Sequence, residues 1–429
     1  MEKIIIGRSK EDIKEYGDRG TAFIGKHIVG EGEDVHLTNP IHMDVIRPHV
    51  VLVSGKRGSG KSYSAGVIAE EMVKLPNDIR NNLSVIFIDT MGIYWSMKSP
   101  NEKEMGMLSQ WNMKPAGLNI RFLAPKGFVK DYRDVGVKVD HQLTVACSEM
   151  DAGDWNITFG FSPIDSHGLA LNNIIKNVKT RFGSGYSIDD IITAIRDDKR
   201  AEDKIKKALV SRFELAKEWG IFEKTGTPVK KLFERGKVSV LDISHFTRTS
   251  SGWSVRGMLI GLLSRKIFQE RLMARKSEEY EVMGGTGKDT IPMVWMMVDE
   301  AHQFIPNEGE TPASRPVLTL IKEGREPGIS LVLITQRPEK LHADALAQSD
   351  LVISHRLTSR ADINALESVM QTYMLKDIQE YMNALPRQKG SAIILDDNSE
   401  RIFSAQIRPR FSWHAGGSPA AVKKKGFFD

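Results

Sequence analysis

The chain has 429 residues, with 60 lysines and arginines against 55 aspartates and glutamates, and one cysteine, Cys147. A composition 41% hydrophobic and 27% charged excludes wholesale disorder, and a single cysteine excludes both an intrachain disulfide and a multi-cysteine zinc cluster. No apolar run approaches the roughly 18 residues that a membrane-spanning helix needs, and the net charge of +5 is only a small bias towards polyanions.

Residues 1–48 are polar and mixed, with turns marked at Gly30, Gly32 and Asn39-Pro40. His49–Val53 is a short β-branched apolar run that stops at Ser54-Gly55, the pattern of a buried strand. Across Ser62–Val73 the apolar residues Val67, Ile68, Met72 and Val73 fall at helical spacing, and Pro76 follows the stop. Val85–Ile88 is a second buried strand ending at Asp89. Strand, turn, helix, strand is the opening of a parallel α/β sheet.

From 115 to 235 amphipathic helices are expected at Leu169–Arg181, Ile188–Arg196 and Asp203–Trp219, which together read as a mostly helical insertion. A strand is expected at Val238–Ile243, a helix at Val255–Lys276 and a flexible loop at Ser277–Thr290. Three further strands fall at Met293–Val298, Ser330–Ile334 and Leu351–Ser354. Ser391–Leu395 and Ile402–Ile407 read as a strand pair closing the sheet edge, and a basic tail carries Lys423-Lys424-Lys425. The expected organisation is an N-terminal segment 1–48, a core in two parts (49–114 and 236–411), the insertion 115–235 and a tail 412–429.

Chemistry is concentrated at the ends of the buried strands. Gly55-Lys56-Arg57-Gly58-Ser59-Gly60-Lys61-Ser62 matches G-x-x-x-x-G-K-[ST] between a predicted strand and a predicted helix. Such a loop folds its N–H groups into a nest for phosphate oxygens. Lys61 reaches the β- and γ-phosphates of ATP, and the Ser62 hydroxyl reaches Mg²⁺. Met293–Val298 runs into Asp299-Glu300. Two acids at the end of a buried strand are costly unless a cation or water meets them; Asp299 is read as the Mg²⁺ group and Glu300 as the general base. Asp299-Glu300-Ala301-His302 could also open a helix as a cap; with the phosphate loop in the same chain the ATPase reading dominates. The strand before Gln336 places its amide at the same edge, able to sense the γ-phosphate or orient water. Arg325 and Arg356 are the candidates for an arginine that completes a neighbouring subunit's site, in that order, with Arg360 read as solvated.

The ordered set resembles the HerA branch of the HerA/FtsK ATPases. It comprises the Gly55–Ser62 loop, Ile88-Asp89-Thr90-Met91-Gly92-Ile93-Tyr94, Val298-Asp299-Glu300-Ala301-His302-Gln303-Phe304, Glu323-Gly324-Arg325-Glu326-Pro327-Gly328-Ile329-Ser330 and Thr335-Gln336-Arg337-Pro338. The match covers roughly 45–110 and 236–410. It implies a RecA-like parallel-sheet P-loop ATPase core and a homo-hexameric ring that translocates double-stranded DNA, in DNA processing or antiviral defence, with a nuclease or effector as a further partner. A cytoplasmic location without a membrane partner is expected. Two departures stand out: 48 residues are too few for the family's N-terminal β-barrel, and Ile93 stands where the family motif has an acid before the tyrosine. A nucleotide-gated scaffold that positions an effector is the alternative. A two-lobed DEAH-type helicase, suggested by Asp299-Glu300-Ala301-His302, is set aside because a second lobe's Gln-x-x-Gly-Arg-x-Gly-Arg segment is missing.

Overall fold

The computed structural model describes residues 2–30, 34–248, 252–369 and 378–417. Fifteen strands occur among them: β1 (Ile4–Ile6), β2 (Thr21–Val29), β3 (His36–Asp44), β4 (Val50–Ser54), β5 (Leu83–Asp89), β6 (Arg121–Pro125), β7 (His141–Leu143), β8 (Val145–Ala146), β9 (Phe222–Glu223), β10 (Val238–Asp242), β11 (Met293–Val298), β12 (Ile329–Thr335), β13 (Leu351–His355), β14 (Ser391–Asp396) and β15 (Arg401–Ile407). All but β8 and β9 join one sheet, in the order β1-β3-β2-β15-β14-β13-β4-β12-β11-β5-β10-β6-β7.

From β13 to β7 every neighbouring pair is parallel. β4, β5, β11 and β12 at the sheet's centre are buried on both faces, which is why they read as continuous apolar runs without alternation. Two apolar clusters fill the faces. One holds Val51, Val53, Phe87 and Trp295, and the other holds Leu52, Ile86, Ile88 and Leu333. The second is continuous with the insertion, whose Trp155, Phe159 and Phe213 pack ring on ring with centroids 4.9–5.3 Å apart. This is a mostly parallel, RecA-like α/β core.

The structure corrects four expectations. Residues 1–48 supply β1, β2 and β3 as a continuation of the main sheet; β2 pairs antiparallel with β15. Their apolar residues alternate with half-exposed polar ones, a weaker signal than a buried run. Gly25 is needed there because a Cβ would stand 2.3 Å from the Gln406 carbonyl oxygen. Second, β14 and β15 do not close an edge: they lie inside the sheet and bridge β13 to β2. Third, β6 and β7, within the stretch read as a helical insertion, are the far edge of the main sheet. Fourth, the helix expected at Val255–Lys276 spans Gly252–Val282, so the first six of the fourteen residues of the expected loop are helical. Arg275 paired with Glu279, and Arg271 with Glu278, hold those extra turns. In the tail, Ser412 is buried, whereas Lys423–Lys425 lie outside the described residues.

Candidate active site

β4 ends at Ser54 and the helix Lys61–Lys74 begins with Gly60 as its cap. Between them the chain turns through left-handed backbone at Gly58 (φ 75°) and unusual positive φ at Gly55 (147°) and Gly60 (122°), conformations that L side chains resist. The loop therefore needs glycines where the sequence has them. Its N–H groups and the helix N-terminus form a concavity suited to an anion. Lys61 is buried and donates to the Lys56 carbonyl at 3.0 Å. Burial pulls its pKa down, opposed by Glu300 and Asp299.

The sheet order brings the rest together. β12 lies between β4 and β11, so Gln336 stands between the phosphate loop and the acids that end β11. Asp299 and Glu300 are 3% and 7% exposed. Burial, then repulsion from Glu300, pushes the Asp299 carboxyl up to about 7, and no ion pair to Asp299 exists among the described residues. Glu300 occupies left-handed backbone (φ 52°), its N–H on Asp299 Oδ1 at 3.1 Å. The Gln336 amide donates to Glu300 Oε1, and Oε2 has no hydrogen-bond partner. His302 Nδ1 lies 3.5 Å from that oxygen and 2.9 Å from Thr335 Oγ1; burial lowers its pKa, so it adds no charge at neutral pH.

Buried polar atoms are nearly always paired, and leaving one unpaired costs about 1–3 kcal/mol. Ser59 Oγ in the phosphate loop, Glu300 Oε2 and Tyr94 Oη are all buried without a partner. The two hydroxyls can donate to a ligand's oxygens, and the carboxylate oxygen can accept from water or meet a cation. Ser62 and Asp299 are candidate oxygen donors for a divalent cation.

His355, which the sequence reading missed, supports the loop from beneath. A Cβ on Gly55 would stand 2.7 Å from His355 Cβ, and one on Gly60 3.2 Å from its ring. Its Nδ1 donates to the Ser391 carbonyl at 3.1 Å, so Nε2 accepts from the Ser64 hydroxyl at 2.8 Å. Complete burial drops its pKa to about 4 and keeps it neutral. In sequence it is one more polar residue ending a strand; only the contact across β4 and β13 marks it.

The two arginines diverge. The Arg356 carbonyl accepts from the Lys56 N–H at 3.1 Å, so its backbone belongs to its own subunit's loop. Arg325 is exposed and precedes β12. It lies at the amino-terminal edge of the sheet, about 20 Å along the strand from the phosphate loop, on an open cavity of about 1500 Å³ that also meets Pro48, His49 and Glu326. That distance puts it out of reach of its own subunit's phosphate loop. Arg360 is exposed.

Phosphate loop, interposed strand and paired acids on one parallel sheet define a P-loop protein of the RecA-like ATPase class. A family model described as "Helicase HerA, central domain" matches residues 22–260, more than half of the chain. The chain belongs to this family of HerA-type ATPases. It is 29% identical over 137 residues to the DNA double-strand break repair helicase HerA of Pyrococcus furiosus, covering 31% of this chain and 24% of that protein. With the probable DNA double-strand break repair helicase HerA of Methanocaldococcus jannaschii it shares 24% identity over 340 residues, covering 71% of this chain and 61% of that one. The chain thus spans less than two thirds of the length of these relatives. The solved structure of VirB4 of Thermoanaerobacter pseudethanolicus superposes with a TM-score of 0.54 over 90% of this chain and 97% of that one, at 11% identity, a likeness of fold. No helix among the described residues is long and apolar enough to cross a membrane.

Proposed function

We propose that the chain is an ATP-hydrolysing motor that works as a ring of identical subunits and translocates double-stranded DNA in the cytoplasm. The observation that carries the reading is the split environment of Glu300: one carboxylate oxygen is held by Gln336, and the other, 3.5 Å from the neutral His302 ring, makes no hydrogen bond. That is the arrangement of a positioned base with one oxygen reserved for water. In this mechanism the loop N–H groups and Lys61 hold the β- and γ-phosphates. Ser62 and Asp299 would hold Mg²⁺, which would supply charge neutralisation for the phosphates. Glu300 takes the proton of the attacking water, and Gln336 keeps the carboxylate in line while reporting on the γ-phosphate. Arg325, remote from its own loop, completes the neighbour's site.

Membership of the HerA family and relatives named as DNA repair helicases support DNA as the substrate. A nuclease or effector beside the ring is the finer part of the proposal. The test is ATP turnover with and without duplex DNA. Hydrolysis should rise with DNA, be lost in Lys61→Ala, and weaken with salt as phosphate contacts are screened. Lys61-dependent hydrolysis indifferent to DNA would leave the scaffold reading in its place.

A further inference from the structure

After β5 the chain makes a tight turn governed by Asp89. Its Oδ1 accepts the N–H groups of Met91 (3.2 Å) and Gly92 (2.8 Å), and Oδ2 those of Ile93 and Tyr94 (2.8 Å each). The turn is thus held by four backbone bonds to one buried carboxylate, which fixes the backbone from which the Tyr94 side chain projects. Its ring stacks on Phe87 with centroids 4.1 Å apart and is wholly buried. Packing accounts for the ring, and a phenylalanine would fill the same space. It does not account for the hydroxyl, which is buried without a hydrogen-bond partner although such groups are normally satisfied. The groups facing that oxygen are the Asp299 and Asp89 carboxylates, the Ser62 hydroxyl, near it but outside hydrogen-bond geometry, and the Arg410 guanidinium. The parallel pairing of Ile88 with Val298 sets Asp89 and Asp299 side by side at the carboxyl ends of β5 and β11. Ser62 and Asp299 are the candidate oxygen donors of the cation site.

We propose that Tyr94 is a further positioning residue of the magnesium–nucleotide site, its hydroxyl donating to the water shell of the ion beside Ser62 and Asp299. A phenol that keeps its proton is a donor and does not ligate a cation directly, so water on the ion is the acceptor it fits. Groups that orient a metal's shell in this way commonly control affinity for the ion without touching it. The inference rests on the nucleotide-site reading above and deepens it.

The test uses the full chain and Tyr94→Phe, which removes one oxygen and keeps the ring. ATP affinity is measured in excess chelator. Mn²⁺ is then titrated into the ATP complex with a non-hydrolysable analogue and followed by its electron paramagnetic resonance. The expected result is unchanged metal-free affinity and a Mn²⁺ half-saturation raised by about tenfold, with Ser62→Ala shifted in the same sense. Equal half-saturation in parent and Tyr94→Phe overturns the proposal. So does a parallel loss of metal-free ATP affinity and unliganded melting temperature, which would make Tyr94 a packing residue. A parent that binds neither ATP nor Mn²⁺ instead removes the nucleotide-site reading itself.

Discussion

Glu300 carries two penalties in the unliganded protein: left-handed backbone on a non-glycine residue and a buried carboxylate beside Asp299. Strained backbone of this kind costs about 1–3 kcal/mol and persists where the surroundings enforce it. Glu300→Gln keeps the shape and removes the charge repulsion. We expect the unliganded variant to be more stable by about 1 kcal/mol, to retain ATP, and to lose on the order of 10²–10⁴ in turnover. Thermal melts and single-turnover hydrolysis check both halves; parent-like turnover would remove Glu300 from the role of base.

At the scale of elements, the helix that follows the phosphate loop is clamped from behind. Glu70, wholly buried on it, accepts from Arg408 Nη1 at 2.8 Å, Arg410 Nε at 3.3 Å, and the Ser412 hydroxyl at 2.6 Å and N–H at 3.0 Å. The Tyr63 hydroxyl, one residue past Ser62, accepts the Arg410 N–H at 2.6 Å. The segment after β15 therefore fixes the helix whose N-terminus faces the ligand. Removing one partner of a buried ion network leaves the others uncompensated, so Glu70→Ala should cost about 3–5 kcal/mol in denaturant unfolding. A loss below about 1 kcal/mol would show that the network does not support the helix. Gly66→Ala should act in the same direction, because a Cβ there would stand 2.6 Å from the Arg410 guanidinium.

For the whole molecule, two predictions concern the edge of the sheet opposite the loop. His49 is bracketed by Asp350 (2.6 Å) and Asp44 (3.1 Å), with Arg8 donating to Asp44 at 2.9 Å, tying the N-terminal segment to β4 and to the turn before β13. Burial alone would depress its pKa; the hydrogen bonds to the two carboxylates outweigh that and raise it to about 9. A raised histidine pKa stabilises the fold fully below about 6.5 and loses that contribution as pH rises through about 9. Stability should fall by up to about 3 kcal/mol across that window, and His49→Gln should flatten the profile in pH-dependent unfolding. Arg325, on the same edge, is expected to act on another subunit's nucleotide. Mixing Arg325→Ala chains with Lys61→Ala chains should restore hydrolysis, since some intact loops then face intact arginines. Mixed rings that form but stay inactive would remove Arg325 from the site.

The phosphate loop, the paired acids and Gln336 were legible in the sequence because each is local: a glycine-spaced turn or a polar residue ending an apolar run reports its own environment. The parallel core strands were legible for the same reason, since burial on both faces leaves no alternation to misread. What only the tertiary structure decided was non-local. The sheet order put Gln336 between the loop and Glu300, brought the His355 ring beneath Gly55 and Gly60, and joined β1–β3 to β15 across more than 370 residues of chain. It also sent Arg325 to the edge away from its own loop, because strand direction sets which end of a sheet a residue occupies and no short motif encodes the neighbour across a crossover.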